Sequence, residues 1–351
     1  MRSTGLAFVL VAALASAGAS TRGVAATAPS LEQLVGQRLI VAMRGTAASA
    51  ALLARVREGR VGGAILFGAN IRNPDQVSAL TQSLRAAARE GGQPAPLILV
   101  DQEGGATRRF VWGPPFRPAA LLGLLPPARV RTAGKATADA LKAAGVNVDL
   151  APVADVPSVA NSFIAAQARG FSTDPDRVAT LATAFARGLA DGGVAATAKH
   201  FPGLGRARVS TDVAAVTVDA PLDTDLLPYR SLITTGVPLV MLSSATYTAL
   251  DTKPATWSPV VQTLLRRTLG FTGVTITDAL DAVGPTHGRS VRSAAVLAAQ
   301  AGVDLLLVAG SEAESDAVYR RLLGAAEAEK LPRPGLARSY ARILALKQRF
   351  R

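Results

Sequence analysis

The sequence predicts an α/β protein built as a single (β/α)8 TIM-type barrel, and three observations lead there. Eight short apolar runs alternate along the chain with longer amphipathic stretches, the pattern of repeated βα units around a parallel sheet. Polar residues fall repeatedly at the C-terminal ends of those runs, which is where such barrels gather their chemistry. The chain has 351 residues, 49% hydrophobic and 18% charged. It is long enough for one barrel with some excess, and too poor in charge to read as disordered.

Residues 1–28 stand apart. Arg2 precedes an apolar segment from Leu6 to Leu14 and the small-residue series ASAGAS, the layout of a secretory signal with cleavage after Ala17 or Ala19. The apolar segment is short for a membrane span. No cysteine is present, so neither a disulfide nor a lipid-bearing cysteine is available. The expected mature protein, residues 29–351, is therefore secreted or envelope-associated, with no stable membrane anchor after cleavage; the alternative is that the segment stays on as an uncleaved N-terminal anchor helix.

The strands are expected at 38–43, 63–67, 97–101, 147–152, 194–199, 238–242, 273–278 and 303–308. Helical spacing of Ala, Leu and Arg marks 76–90, 129–144, 175–191 and 291–301. Several strands follow a glycine stop, as in AAGVNV, DGGVAA, TTGVPL and QAGVDLL, which suits a glycine just past the helix end. The proline-rich stretch 109–127 reads as a long βα loop, and 335–350 as a basic amphipathic helix that closes the fold. No internal repeat and no second domain are visible.

Asp101, Asp155, Lys199, Ser243 and Asp278 all lie at or just past predicted strand ends, so a barrel directs them to one face. Taken singly, each is equally readable as a loop residue or helix N-cap. Asp101 opens DQEGG, and Arg109 lies eight residues on; a carboxylate and a guanidinium together can grip neighbouring hydroxyls, or simply pair across a loop. Asp278 ends GVTITD, a position suited to a nucleophilic carboxylate and equally to a helix cap. Lys199 and His200 open KHFPG, where Pro202, Gly203 and Gly205 turn a strand into a structured loop.

The net charge of +13 suits an anionic partner. It is spread along the chain without a long basic run, and aromatics make up 5%, so nucleic acid is not an expected partner. Two distant histidines and no cysteine leave no ligand spacing for zinc, and no cofactor is expected. Oligomeric state is not readable.

DQEGG (101–105), NVDLAPVADV (147–156), RGFSTDP (169–175), KHFPG (199–203) and GVTITDAL (273–280) occur in an order and spacing that resembles glycoside hydrolase family 3, in particular its single-domain bacterial β-N-acetylglucosaminidases. The resemblance spans nearly the whole chain after the signal segment. It implies a (β/α)8 barrel and retaining hydrolysis of terminal β-N-acetylglucosaminyl residues, with peptidoglycan-derived sugars as the substrate class. It implies Asp278 as nucleophile and Asp101, Arg109, Arg169, Lys199 and His200 as the residues that hold the sugar.

One loop departs from that pattern. Where the family continues after KHFPG with HG, four residues and Asp-Ser-His, this chain reads LGRARVSTD. Leu204 stands at the first histidine, Ser210 at the dyad aspartate, and Asp212 at the catalytic histidine, so both members of the usual acid/base dyad are absent. Asp212 is the candidate replacement acid/base, against the alternative of a loop carboxylate paired with Arg206 or Arg208. His287 is expected as an exposed turn residue. Two further functional readings stay open: a weakened or inactive barrel that binds cell-wall sugars, and a related β-glycosidase of different sugar specificity.

Overall fold

The computed structural model describes residues 28–282 and 287–351, together with Met1. The predicted signal segment, 1–28, thus falls almost entirely outside the described residues.

Eight parallel strands form one sheet: β1 (Leu39–Ala42), β2 (Gly63–Leu66), β3 (Leu97–Val100), β4 (Val148–Asp149), β5 (Ala195–Phe201), β6 (Leu239–Leu242), β7 (Val274–Thr277) and β8 (Leu306–Val308). Each pairs with the next in sequence from β1 to β7, and β8 pairs with β1. The circle closes between β7 and β8 through a parallel bridge from Ile276 to Leu305. All eight predicted strands are present.

Two strands, the fourth and the eighth, are shorter than the sequence suggests by three residues or more. The fourth, expected over 147–152, is a strand only at Val148–Asp149, because Pro152 has no N–H to give the ladder. The eighth begins at Leu306 rather than 303. There the Asp304 carboxylate takes the Thr275 N–H at 3.0 Å, replacing a ladder carbonyl. The fifth runs longer than expected, through Lys199 and His200 to Phe201.

Alternation along the strands builds two cores. Leu39 and Val41 pack outward with the helices, whereas Ile40 and Ala42 pack into the barrel interior; Ile98 and Val100 against Leu97 and Leu99 repeat the pattern. The surrounding helices are α1 (Ala50–Arg57), α2 (Pro74–Glu90), α3 (Pro127–Ala143), α4 (Pro175–Asp191), α5 (Leu227–Thr234), α6 (Pro259–Thr263), α7 (Val291–Ala301) and α8 (Glu312–Glu327). The four glycines expected past helix ends, Gly145, Gly193, Gly236 and Gly302, all take positive φ of 79–97°, where a side chain would be strained.

The closing helix, α9 (Arg333–Arg349), does more than cover a flank. Its Ile343 and Leu346, with Phe350 beyond its end, join the interior core and stop the barrel at the N-terminal ends of the strands. Asn147 fastens this plug by donating to the Phe350 carbonyl at 3.1 Å while its own Oδ1 accepts the Ile98 N–H at 2.8 Å. Ile343 is fully buried, so Ile343→Ala should lower the unfolding free energy by about 2–5 kcal/mol in urea denaturation.

Candidate active site

At the opposite end of the barrel the strand ends surround a pocket of about 240 Å³. After β3 the chain passes Asp101 and folds back as a small antiparallel hairpin, Gln102–Gly104 with Thr107–Arg108. Gln102 anchors the segment beyond this hairpin. Its amide nitrogen donates to the carbonyls of Phe110, Gly113 and Pro114 at 3.1, 3.2 and 2.9 Å, and its oxygen accepts the Phe110 N–H at 2.9 Å. The start of the 109–127 loop, and with it Arg109, is thereby fixed beside Asp101.

An ion network lines one wall. The Lys199 ammonium, 2% exposed, lies 2.7 Å from Asp101 Oδ1 and 2.6 Å from Glu103 Oε1. Arg169 forks onto Glu103, Nε to Oε2 at 2.7 Å and Nη2 to Oε1 at 2.8 Å, and Arg109 approaches Asp101 at 3.8 Å. Burial by itself pushes the Glu103 carboxyl up, but Lys199 and Arg169 outweigh it and hold it at about 2. Burial lowers the Lys199 ammonium, and Asp101 and Glu103 more than reverse that, so it stays charged. Asp149, behind this wall, has one oxygen accepting the Gln102 N–H at 3.0 Å and the other unpartnered. Burial raises its carboxyl well above the usual range, toward the neutral acid.

His200 is held from behind. Asp155, fully buried, meets its Nδ1 at 2.7 Å and accepts its backbone N–H at 3.1 Å. The same carboxylate accepts the Leu204 N–H at 2.6 Å, so it also sets the turn of the KHFPG loop. With Nδ1 committed to Asp155, His200 keeps Nε2 for the pocket that it lines.

Across from this wall, half-buried Asp278 follows β7, with Oδ1 accepting the Ala279 N–H at 2.8 Å. Burial raises its carboxyl, the His200 side pulls it down, and the charge of Asp212 pushes it up again; the net shift is upward. Asp212 is exposed at the pocket mouth, where Ser210 Oγ donates to its Oδ2 at 3.1 Å. Among the described residues it has no cationic partner within 4.0 Å. Arg206 instead holds buried Asp225 at 2.9 Å, which disposes of the expected alternative of an Asp212–Arg206 pair.

All seven residues singled out from the sequence, Asp101, Arg109, Arg169, Lys199, His200, Asp212 and Asp278, line this pocket. The expectation of five converging strand-end groups holds for Asp101, Lys199 and Asp278 only. Asp155 is sealed behind His200, and Ser243, fully buried, directs its hydroxyl to the Ala245 N–H at 3.1 Å. His287 packs on the Trp257 ring at 5.4 Å and does not line the pocket. Sequence reasoning missed Glu103 as a site residue, although it sits inside the quoted DQEGG; its importance comes from two cations far along the chain, Lys199 on β5 and Arg169 in the segment before α4.

A sequence model of the glycosyl hydrolase family 3 N terminal domain matches residues 30–346. The chain belongs to glycosyl hydrolase family 3. It is 36% identical to an uncharacterized secreted glycosyl hydrolase of Arthroderma benhamiae, over 98% of this chain and 99% of that one. It is 34% identical to a β-hexosaminidase of Methylobacillus flagellatus, over 82% and 83%. The solved family 3 β-N-acetylglucosaminidase of Paenibacillus sp. superposes with a TM-score of 0.86 at 34% identity, over 92% of this chain. This chain spans 63% of that longer structure. The family 3 barrel is thus a glycoside hydrolase of the hexosaminidase type.

The charged wall also has a consequence for stability in this hydrolase. Because the folded Glu103 carboxyl is held at about 2, below its unfolded value of about 4.3, its contribution is complete above the unfolded value and is lost as pH falls toward the folded one. The contribution is about 3 kcal/mol. Glu103→Gln should therefore flatten the acid limb of stability between about pH 4.5 and 2, as read by denaturant midpoints across that range.

Proposed function

We propose that this protein is an exported, retaining, exo-acting β-N-acetylglucosaminidase that releases terminal sugars from peptidoglycan-derived fragments. The observation that carries the reading is the placement of Asp278 in the same small pocket as the Lys199–Asp101–Glu103–Arg169 network, with the Asp212 carboxylate at the mouth. A volume of about 240 Å³ is small for a ligand site and suits one sugar ring, hence action at a chain end. The charged wall of Asp101, Arg109, Arg169, Lys199 and His200 holds the ring hydroxyls by charge-assisted hydrogen bonds. Met241, Leu150 and Phe67 supply apolar lining.

In this reading the ionised Asp278 attacks the anomeric carbon and forms a glycosyl-enzyme bond while the aglycone oxygen leaves. Water then cleaves that bond and regenerates the carboxylate. Asp212 donates the proton to the departing oxygen and takes one from the incoming water. No cation lies within 4.0 Å of it among the described residues, and it lines the same pocket as Asp278, which is the placement an acid/base partner of the nucleophile needs. Export rests on the N-terminal segment of Arg2, the apolar run and ASAGAS; among the described residues no helix is long and apolar enough to cross a membrane.

Asp278→Ala should abolish hydrolysis of an aryl N-acetyl-β-glucosaminide; retained turnover would sink the assignment. Asp212→Ala should lower kcat/KM by about 10²–10⁴ on a disaccharide, whose leaving group needs a proton, and far less on an activated aryl substrate. Added azide should then restore turnover on the aryl substrate as a β-glycosyl azide. Because attack needs the carboxylate form of Asp278 and burial raises its pKa, kcat/KM should fall on the acid side at a pH above the ordinary aspartate range.

The exposure of Asp212 and its tie to Ser210 favour one second reading, a barrel that grips the sugar without cleaving it. Calorimetric binding of N-acetylglucosamine, together with no release of that sugar from an aryl or disaccharide substrate after prolonged incubation at high enzyme concentration, would replace the first reading with this one.

A further inference from the structure

At the N-terminal ends of the strands, facing away from the catalytic pocket, lies a larger cavity of about 570 Å³. Its position follows from its walls: Arg38 immediately precedes β1, and the rest comes from α6 and the turn after it, the end of α7, the segment entering α9 and the first part of α9 itself. Six cations line it, Arg38, Arg266, Arg267, Lys330, Arg338 and Arg342.

One carboxylate serves this group. Asp304, fully buried, takes Arg266 at 2.6 Å and Arg342 at 2.6 Å, while Arg38 donates to the carbonyls of Asp304 and Val303. Among the described residues, Arg267, Lys330 and Arg338 have no carboxylate within 4.0 Å. A solvated basic face would scatter such charges over convex surface. Here they share one concavity, where their fields add.

A second observation comes from a neutral side chain in the same wall. Gln262 is 6% exposed, and neither its Nε2 nor its Oε1 has a hydrogen-bond partner. A buried amide with both ends open is uncommon in folded proteins, and a group that both donates and accepts satisfies it. A hydroxyl does so; a bare anion does not. No aromatic residue is among the residues lining the cavity, so nothing offers a stacking platform for a nucleobase.

We propose that this cavity is a binding site for a polyol phosphate, a phosphate ester carrying a neighbouring hydroxyl. Arg267, Lys330 and Arg338 take the phosphate oxygens by charge-assisted hydrogen bonds, and Gln262 takes the hydroxyl. A polymer of such esters bound here leaves the catalytic mouth open at the other end of the barrel. The site is independent of the catalytic assignment.

Isothermal titration of the full chain with glycerol 3-phosphate, inorganic phosphate and glycerol tests it, with aryl hexosaminide hydrolysis or sugar binding as the control for folding. Glycerol 3-phosphate should bind saturably and about tenfold more tightly than inorganic phosphate, with glycerol silent. Lys330→Ala with Arg338→Ala should weaken both phosphates by about tenfold or more, with the control unchanged. Gln262→Leu should erase the preference for the ester over inorganic phosphate while leaving phosphate affinity in place. The proposal is overturned by the absence of saturable binding, by equal affinity for the two phosphates in the unaltered protein, or by a double variant that binds as before.

Discussion

The pocket depends on one buried ammonium. Lys199 sits 2% exposed between Asp101 and Glu103, and without those carboxylates its charge would be intolerable at that depth. The dependence is mutual. Glu103 stays ionised because Lys199 and Arg169 face it, Arg169 is oriented by its fork onto Glu103, and Asp101 is placed by the same ammonium that it neutralises. Four side chains from three separate stretches of chain therefore hold one another at fixed distance before any sugar arrives. Preorganisation of this kind spares binding energy that would otherwise go into ordering the site.

The barrel supplies the rigidity that the network needs. Its interior is filled by alternating strand residues and stopped at one end by α9, so the ion network rests on a packed floor. Polar chemistry is then confined to the other end, where β3, β5 and β7 release Asp101, Lys199 and Asp278. The two ends carry different electrostatics. The catalytic mouth balances cations against carboxylates nearly one for one, whereas the far cavity gathers six cations around the single carboxylate of Asp304.

The loop after KHFPG shows how a catalytic position can change while its setting persists. Leu204 occupies the turn through its backbone N–H to Asp155 and buries its side chain in the helix-facing core, so no histidine is needed there for the loop to fold. Arg206, which the sequence places close to Asp212, is drawn instead to buried Asp225. The charge of this loop that bears on Asp278 is therefore that of Asp212.

The sequence by itself determined the barrel, the order of its strands, the glycine stops between helices and strands, and, through its resemblance to family 3, seven of the residues that line the mouth. These are carried by local signals: alternation, helical spacing, motif order, and the fact that strand ends in a parallel barrel open on one side. What only the tertiary structure decided is who partners whom. Glu103 and Asp155 gain their roles from Lys199, Arg169 and His200, which lie 45 or more residues away. Arg206 chose Asp225 over Asp212, and Arg267, Lys330 and Arg338 were brought to one cavity with Gln262. Charge pairing depends on distance and burial in space, and a chain read residue by residue contains neither.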